Sequence, residues 1–166
     1  MSLASAIHGR YRGAMVTIRP AAASDLDAVS ALAFAMAVEI NGPEVAARLT
    51  PELRDEIAAA LGSDADDLMV VAERERRLVG CGRARVLSSH PMLRFSQDPR
   101  HCYFELMYVV PEERGTGIGS RILGALESWA RERGVSHLTL HHASKARTFY
   151  ERRGYSVLGE MYKRLG

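Results

Sequence analysis

The chain has 166 residues, 47% of them apolar and 25% charged, and a formal charge of +2 at pH 7, which describes one folded soluble domain and excludes a fibre or a disordered chain. Its 22 basic and 20 acidic residues give no bulk electrostatic reason to expect DNA, RNA or an anionic membrane as a partner. The longest apolar stretch, Ala28 to Ile40, is interrupted by Ser30 and Glu39 and falls short of the roughly 20 residues that span a bilayer.

Met1 to Ala14 carries scattered Arg and Gly without the apolar segment of a secretory signal, so it reads as a flexible N-terminal lead to a domain over 15–166. Cys81 and Cys102 lack the CxxC spacing of a metal or redox pair, and a core of this size needs no bridge. They are expected to be reduced thiols, which points to the cytoplasm. Met15 to Arg19 alternates around Val16 and Ile18 and predicts a first strand ending at Pro20. Ser24 then reads as a helix N-cap, with Asp25 and Asp27 in the first turn. Leu26, Val29, Leu32, Ala33 and Met36 recur at helical spacing, giving a helix to about Val38 that Asn41, Gly42 and Pro43 end. Glu44–Leu49 and Pro51–Leu61 predict a second helical region, the latter part opened by Thr50 as cap and Pro51 at its first position.

Leu68–Ala72 and Leu78–Leu87 predict two antiparallel strands around a charged hinge, Glu73 to Arg77. Ser88 to Arg100 holds two prolines without apolar periodicity and is a candidate substrate loop. Cys102–Val110, rich in aromatic and branched residues, predicts a buried central strand. Ile118, Ile122, Leu123, Leu126, Trp129 and Ala130 then fall on one helix face, and Gly134 ends the helix. His137–His141 predicts a strand, Lys145–Arg153 a helix, and Tyr155–Leu158 with Glu160–Leu165 the last strand material.

The chemistry concentrates where the central strand runs through Pro111 into Arg114-Gly115-Thr116-Gly117-Ile118-Gly119 at the mouth of a helix. Glycines let a phosphate approach the backbone, the first-turn amides lack intrahelical partners, and the helix dipole adds partial positive charge there. Arg114 can add a fixed cation; alternatively, the glycines only make a tight strand-to-helix turn. No Lys-Ser or Lys-Thr follows the loop, which excludes a nucleotide-triphosphate loop. Glycines at 115, 117 and 119 also miss the GxGxxG spacing of dinucleotide sites.

On these residues the chain resembles the GNAT superfamily of acetyl-coenzyme A-dependent N-acetyltransferases. The signature [RQ]-x-x-G-x-[GA] stands here as Arg114-x-x-Gly117-x-Gly119, after Val109-Val110-Pro111-Glu112-Glu113. A second segment, Ala146 to Tyr155 with Phe149-Tyr150-Glu151-Arg152-Arg153-Gly154-Tyr155, follows downstream. The resemblance implies an α+β fold: a mixed, mostly antiparallel twisted sheet of six or seven strands flanked by about four helices, with a splayed parallel pair forming the acyl-coenzyme A slot. It implies that Arg114, Gly115, Thr116, Gly117, Ile118, Gly119 and Ser120 bind the coenzyme pyrophosphate, while Val109 and Val110 lie along the pantetheine. A backbone N–H near Val109 would polarise the thioester carbonyl.

Tyr150 aligns with the family's tyrosine acid near the coenzyme sulfur; its other reading is a core aromatic like Phe149. A substrate ammonium with a pKa of about 10.4 is less than roughly a thousandth neutral at pH 7, so a base or a water relay is needed. Glu105 is the candidate base, since strand alternation sets Tyr103, Glu105, Met107 and Val109 on one side. Its other reading is an ion pair with Arg83 or Arg85. Where many relatives carry a cofactor-binding Asn, this chain has Ala143, so Ser144 or Lys145 is expected to substitute. His141 and His142 point to opposite sides of a strand and cannot share a metal, so no metal is expected. The implied function is transfer of acetyl from acetyl-CoA to a primary amine; a non-catalytic acyl-coenzyme A sensor is the competing class, and the resemblance also allows a homodimer.

Gly117→Glu places a side chain and a negative charge where the pyrophosphate must approach. It is expected to abolish acetyl-CoA binding by calorimetry while the variant stays folded.

Overall fold

A computed structural model of the chain describes residues 15–61, 65–88 and 99–158. Its five strands are β1 (Thr17–Pro20), β2 (Asp67–Arg74), β3 (Arg77–Ser88), β4 (Arg100–Val109) and β5 (Leu138–Leu140), and the helices are α1 (Leu26–Asn41), α2 (Pro43–Ala60), α3 (Ile118–Glu132) and α4 (Arg147–Glu151). The strands lie in chain order, antiparallel except for β4 and β5. The crossover between that parallel pair passes through α3, the helical connection parallel strands require.

The expected mixed α+β sheet is present, with five strands among the described residues rather than six or seven. Tyr155–Leu158 is irregular rather than extended into a ladder, and the Glu160–Leu165 segment lies outside the described residues, as do the Met1–Ala14 lead and most of the candidate substrate loop. The hairpin at the charged hinge is tighter than the alternation implies: Arg74 pairs with Arg77, and only Glu75 and Arg76, both at positive φ (51° and 64°), make the turn. That left-handed pair is the conformation that matches the twist of the flanking strands.

Two helical expectations change. The chain enters α1 through a 3-10 turn at Ala23–Asp25, and Asp25, not Ser24, closes it by accepting the Ala22 N–H (2.8 Å). The Arg19 guanidinium beside it holds the Asp25 carboxyl below the usual carboxylate range. The second helical region is one continuous helix with Pro51 inside it. Thr50 is no cap; its hydroxyl donates back to the Ala46 carbonyl at 2.9 Å. Pro51 is tolerated because it and Ala47, whose carbonyl would have accepted from residue 51, are both exposed to water.

The sheet buries a core on each face. Against one face α3 lays Ile118, Ile122, Leu123, Leu126, Trp129 and Ala130, packed with Val70, Ala72, Cys102 and Phe104. Against the other, Val29, Leu32 and Ala33 of α1 and Ile57 of α2 meet Val71, Cys81, Leu106 and Tyr108. Both cysteines are free and fully buried, and burial pushes each thiol up to about 12. No described helix is long and apolar enough to cross a membrane.

Two glycines in β3 let α3 approach. A Cβ on Gly82 would sit 2.6 Å from Ile122 Cγ2, and one on Gly80 2.9 Å from the Tyr108 carbonyl. Gly82→Ala therefore forces the buried Ile122 to move and is expected to cost about 1–3 kcal/mol. In a domain of this size that reads as a fall in melting temperature of roughly 2–12 °C.

Candidate active site

The slot begins where pairing stops. On its β5 edge, β4 is paired only as far as Phe104 opposite Leu140, whereas on its β3 edge it is paired to Val109. The Val110 N–H donates to the Val79 carbonyl at 3.0 Å, so strand alternation turns the Val109 N–H toward the opposite, open edge. A strand edge with unpaired amides and carbonyls accepts an extended amide-bearing ligand as it would another strand.

A bulge changes which side chains share a face. The β3–β4 register shifts at Arg83/Ala84, opposite Leu106 and Phe104, leaving Glu105 as the extra residue. Met107 and Val109 consequently pack with the α3 core, while Leu106 and Tyr108 join the α1–α2 core. The expected common face of Tyr103, Glu105, Met107 and Val109 is therefore broken in two. Glu105 is held by Arg83 (2.9 Å) and Arg85 (2.9 Å), the ion-pair reading of this residue. Arg83 is buried and also pairs with Asp67 at 2.6 Å. The loss of solvent at Arg83 opposes its charge, but Asp67 and Glu105 outweigh this and raise its pKa.

At the far end of the open edge, Pro111–Glu113 forms a 3-10 turn and the glycine loop leads into α3. Gly115 (φ 77°) and Gly117 (φ 88°) take left-handed conformations that a side chain would strain. The Thr116 hydroxyl donates to the Glu113 carbonyl at 2.7 Å, fixing the loop from within. Arg121 N–H to Gly117 O is the first bond of the α3 ladder, and no side chain caps the helix. The amides of Ile118, Gly119 and Ser120 therefore have no partner within the helix, which is the condition of an anion site. Ile118 itself is buried under the sheet.

Arg114 is engaged by the protein's own groups. Its Nη2 donates to Glu39 (2.7 Å), its Nε to the Val109 carbonyl (2.9 Å), and its guanidinium carbon lies 5.3 Å from the Tyr108 ring centroid. Glu39 also accepts from the Tyr108 hydroxyl at 2.8 Å, tying the end of α1 to the end of β4. Arg114, then Tyr108, hold the Glu39 carboxyl below the usual range.

Tyr150, on α4, is buried with its hydroxyl 3.9 Å from Met107 Sδ, beside the open edge of β4. It stands edge-on to Phe149 and Tyr155. Burial pushes its phenol up to about 12, against the opposing charge of Arg153. Ser144 is exposed on the 3-10 turn before α4. The two histidines lie just past β5, which ends at Leu140 rather than at the expected His141: His141 Nδ1 shares a hydrogen bond with the Tyr103 hydroxyl (2.7 Å), while the His142 ring tilts toward Tyr150.

An open strand edge leading to uncapped helix amides, with a buried tyrosine between them, can be compared with known proteins. The sequence profile of the acetyltransferase (GNAT) family matches residues 34–155. The chain belongs to the GNAT acetyltransferases. It is similar to a GCN5-related N-acetyltransferase of Ralstonia eutropha, with 25% identity, TM-score 0.82 and coverage of 91% of this chain and 99% of that one. A predicted acetyltransferase of Clostridium acetobutylicum, solved with acetyl-CoA, shares the fold at 19% identity and TM-score 0.76, with 91% and 96% covered. The uncharacterized N-acetyltransferase YhfO of Bacillus subtilis is 44% identical over 52 residues, 30% of this chain and 35% of that protein. The match thus spans about a third of that curated relative's length.

Within this GNAT chain, three features escape the sequence pattern: the Glu39–Tyr108–Arg114 cluster, the Tyr103–His141 pair and Arg153, which reaches the first turn of α3. Glu39 lies 75 residues from Arg114, so no local spacing announces their contact. Glu39→Gln removes the carboxylate that Arg114 and Tyr108 share. Because the folded pKa is depressed, the stabilisation is present above the ordinary value of 4.5 and is lost as pH falls through the folded pKa. With the side chains partly exposed, urea unfolding is expected to show a deficit of about 0.5–1 kcal/mol at pH 7 that narrows toward pH 3.

Proposed function

We propose that this protein transfers an acetyl group from acetyl-CoA to a primary amine by direct attack of the amine nitrogen on the thioester carbonyl. The observation that carries the reading is the early end of the β4–β5 pairing, which leaves an open edge running into the uncapped amides of α3. The pantetheine lies along that edge beside Val109 and Val110, with the Val109 N–H as its open donor, and the diphosphate lies on the amides of Gly115 to Ser120. The acetyl-CoA bound in the Clostridium neighbour supports this donor.

As the C–N bond forms, negative charge grows on the carbonyl oxygen, and the Val109 N–H donates to it. Collapse then breaks the C–S bond and releases coenzyme A. Tyr150, beside Met107, donates to the departing sulfur. With the phenol pushed up to about 12 and a thiol at about 8.5, complete proton transfer is uphill by roughly 5 kcal/mol, so hydrogen bonding to the thiolate is its main contribution. The acceptor's proton leaves toward Glu105, directly or through water. Glu105, held between Arg83 and Arg85, and Tyr150, beside Met107, are separate groups, so in this reading one takes the amine's proton while the other meets the departing sulfur. The acceptor in this reading is a small-molecule amine, the class named for two solved neighbours of the same fold, an aminoglycoside N-acetyltransferase and a glucosamine-6-phosphate N-acetyltransferase. Its buried free thiols suit a reducing cytoplasm.

The test is coenzyme A release with a panel of small amines and peptides, followed by mass analysis of the acetylated product. Turnover of small amines is expected; cofactor binding without turnover of any acceptor would mark a sensor, and turnover of peptides alone would reverse the acceptor class. Tyr150→Phe keeps the ring, so acetyl-CoA affinity should hold while turnover falls about 100-fold. Turnover at the parent rate would reduce Tyr150 to an aromatic wall.

A further inference from the structure

The diphosphate site at the start of α3 calls for a cation, and the arginine of the glycine signature does not supply it. The Arg114 guanidinium is engaged by Glu39, the Val109 carbonyl and the Tyr108 ring, on the side of β4 that packs against α1. A different guanidinium stands at the loop. Arg153, two residues past α4, donates from Nη2 to the Ser120 hydroxyl in the first turn of α3 and from Nη1 to the Phe149 carbonyl at 2.7 Å. Its guanidinium carbon lies 3.7 Å from the Phe149 ring centroid.

That ring is itself positioned by the loop. A Cβ on Gly119 would lie 3.5 Å from Phe149 Cε2, so Gly119 and Phe149 are in contact, and Arg153 rests on the outer side of the aromatic. Among the described residues no carboxylate lies within ion-pair distance of Arg153, whereas the neighbouring Arg147 is paired with Glu151 at 2.7 Å. A guanidinium stacked on a ring, fixed by a carbonyl and without a carboxylate partner keeps its charge and donors for an anion.

We propose that Arg153, rather than Arg114, is the side-chain cation of the diphosphate site. In this assignment its guanidinium donates to a coenzyme phosphate oxygen next to the Ile118, Gly119 and Ser120 amides, and Arg114 is a strut that fixes the loop to α1. The inference rests on the coenzyme A reading given above. A phosphate oxygen there has two sources, the diphosphate and the separate 3′-phosphate of the coenzyme, and the assignment is to the diphosphate.

Calorimetric titration with coenzyme A and with dephospho-coenzyme A, on the parent protein and on Arg153→Gln and Arg153→Lys, separates these cases. Arg153→Gln is expected to weaken both ligands by about tenfold, as loss of one charge-assisted bond implies. Arg153→Lys should fall between, and the affinity of Arg153→Gln should decline less steeply with added salt than the parent's. Parent-like affinity of Arg153→Gln for both ligands overturns the assignment. So does a loss confined to coenzyme A, which would place Arg153 on the 3′-phosphate, and so does a loss with unchanged salt dependence, which would trace to packing on Phe149. If Arg153→Gln does not fold, the Lys variant carries the same comparison. A parent protein that binds neither ligand refutes the coenzyme reading itself, and the Arg153 assignment with it.

Discussion

β4 has a partner on both edges over Cys102 to Phe104 and on one edge thereafter. Every element of the proposed site depends on that asymmetry. Where β5 departs, amides and carbonyls of β4 face a gap, and buried backbone groups must find a partner in ligand or water. The strand stays extended through the gap because β3 holds it up to Val109. Val110 is then tied to Val79 before the chain turns into the glycine loop. The open edge therefore ends at the uncapped amides of α3, so a ligand with an amide arm and a diphosphate finds both in sequence along one line.

The bulge at Glu105 adds a second consequence. By shifting the alternation by one residue, it gives the α3 face Met107 and Val109 beside Tyr150, and the opposite face Leu106 and Tyr108 beneath α1. A buried tyrosine and a charged carboxylate thus sit near the same few residues of one strand without sharing an environment. The carboxylate lies in a network of Asp67, Arg83, Glu105 and Arg85, in which the charges balance. Such a network has its desolvation offset only while every member is present, which keeps Glu105 in one place.

Much of this was legible in the residues. Helix α3 announces itself through Ile118, Ile122, Leu126 and Trp129 at helical spacing, and the loop before it through glycines that the structure places at φ 77° and 88°. Periodicity reads residues one at a time along the chain, so it cannot see a register shift set by the partner strand; the bulge at Glu105 escaped for that reason. Pro51 reads as a helix start because proline is favoured at the first helical position, whereas solvent at Ala47 lets the helix run through it. Proximity in sequence puts Arg114 beside the glycine loop, but it cannot announce the contact with Glu39, 75 residues away at the end of α1. Arg153 stands in the second family segment, but its contact with Ser120 depends on the fold bringing the end of α4 to the first turn of α3.

The seating of α3 on Gly80 and Gly82 bears on what ligand binding must do. Ile122 fills the space those glycines leave, one turn beyond Gly119, and it is fully buried. A helix wedged this tightly cannot slide toward or away from β3 without opening a void. The distance from the α3 amides to the open edge of β4 is therefore set during folding. Little conformational entropy remains to be lost when a ligand bridges the two, so the contacts it makes there convert more fully into affinity.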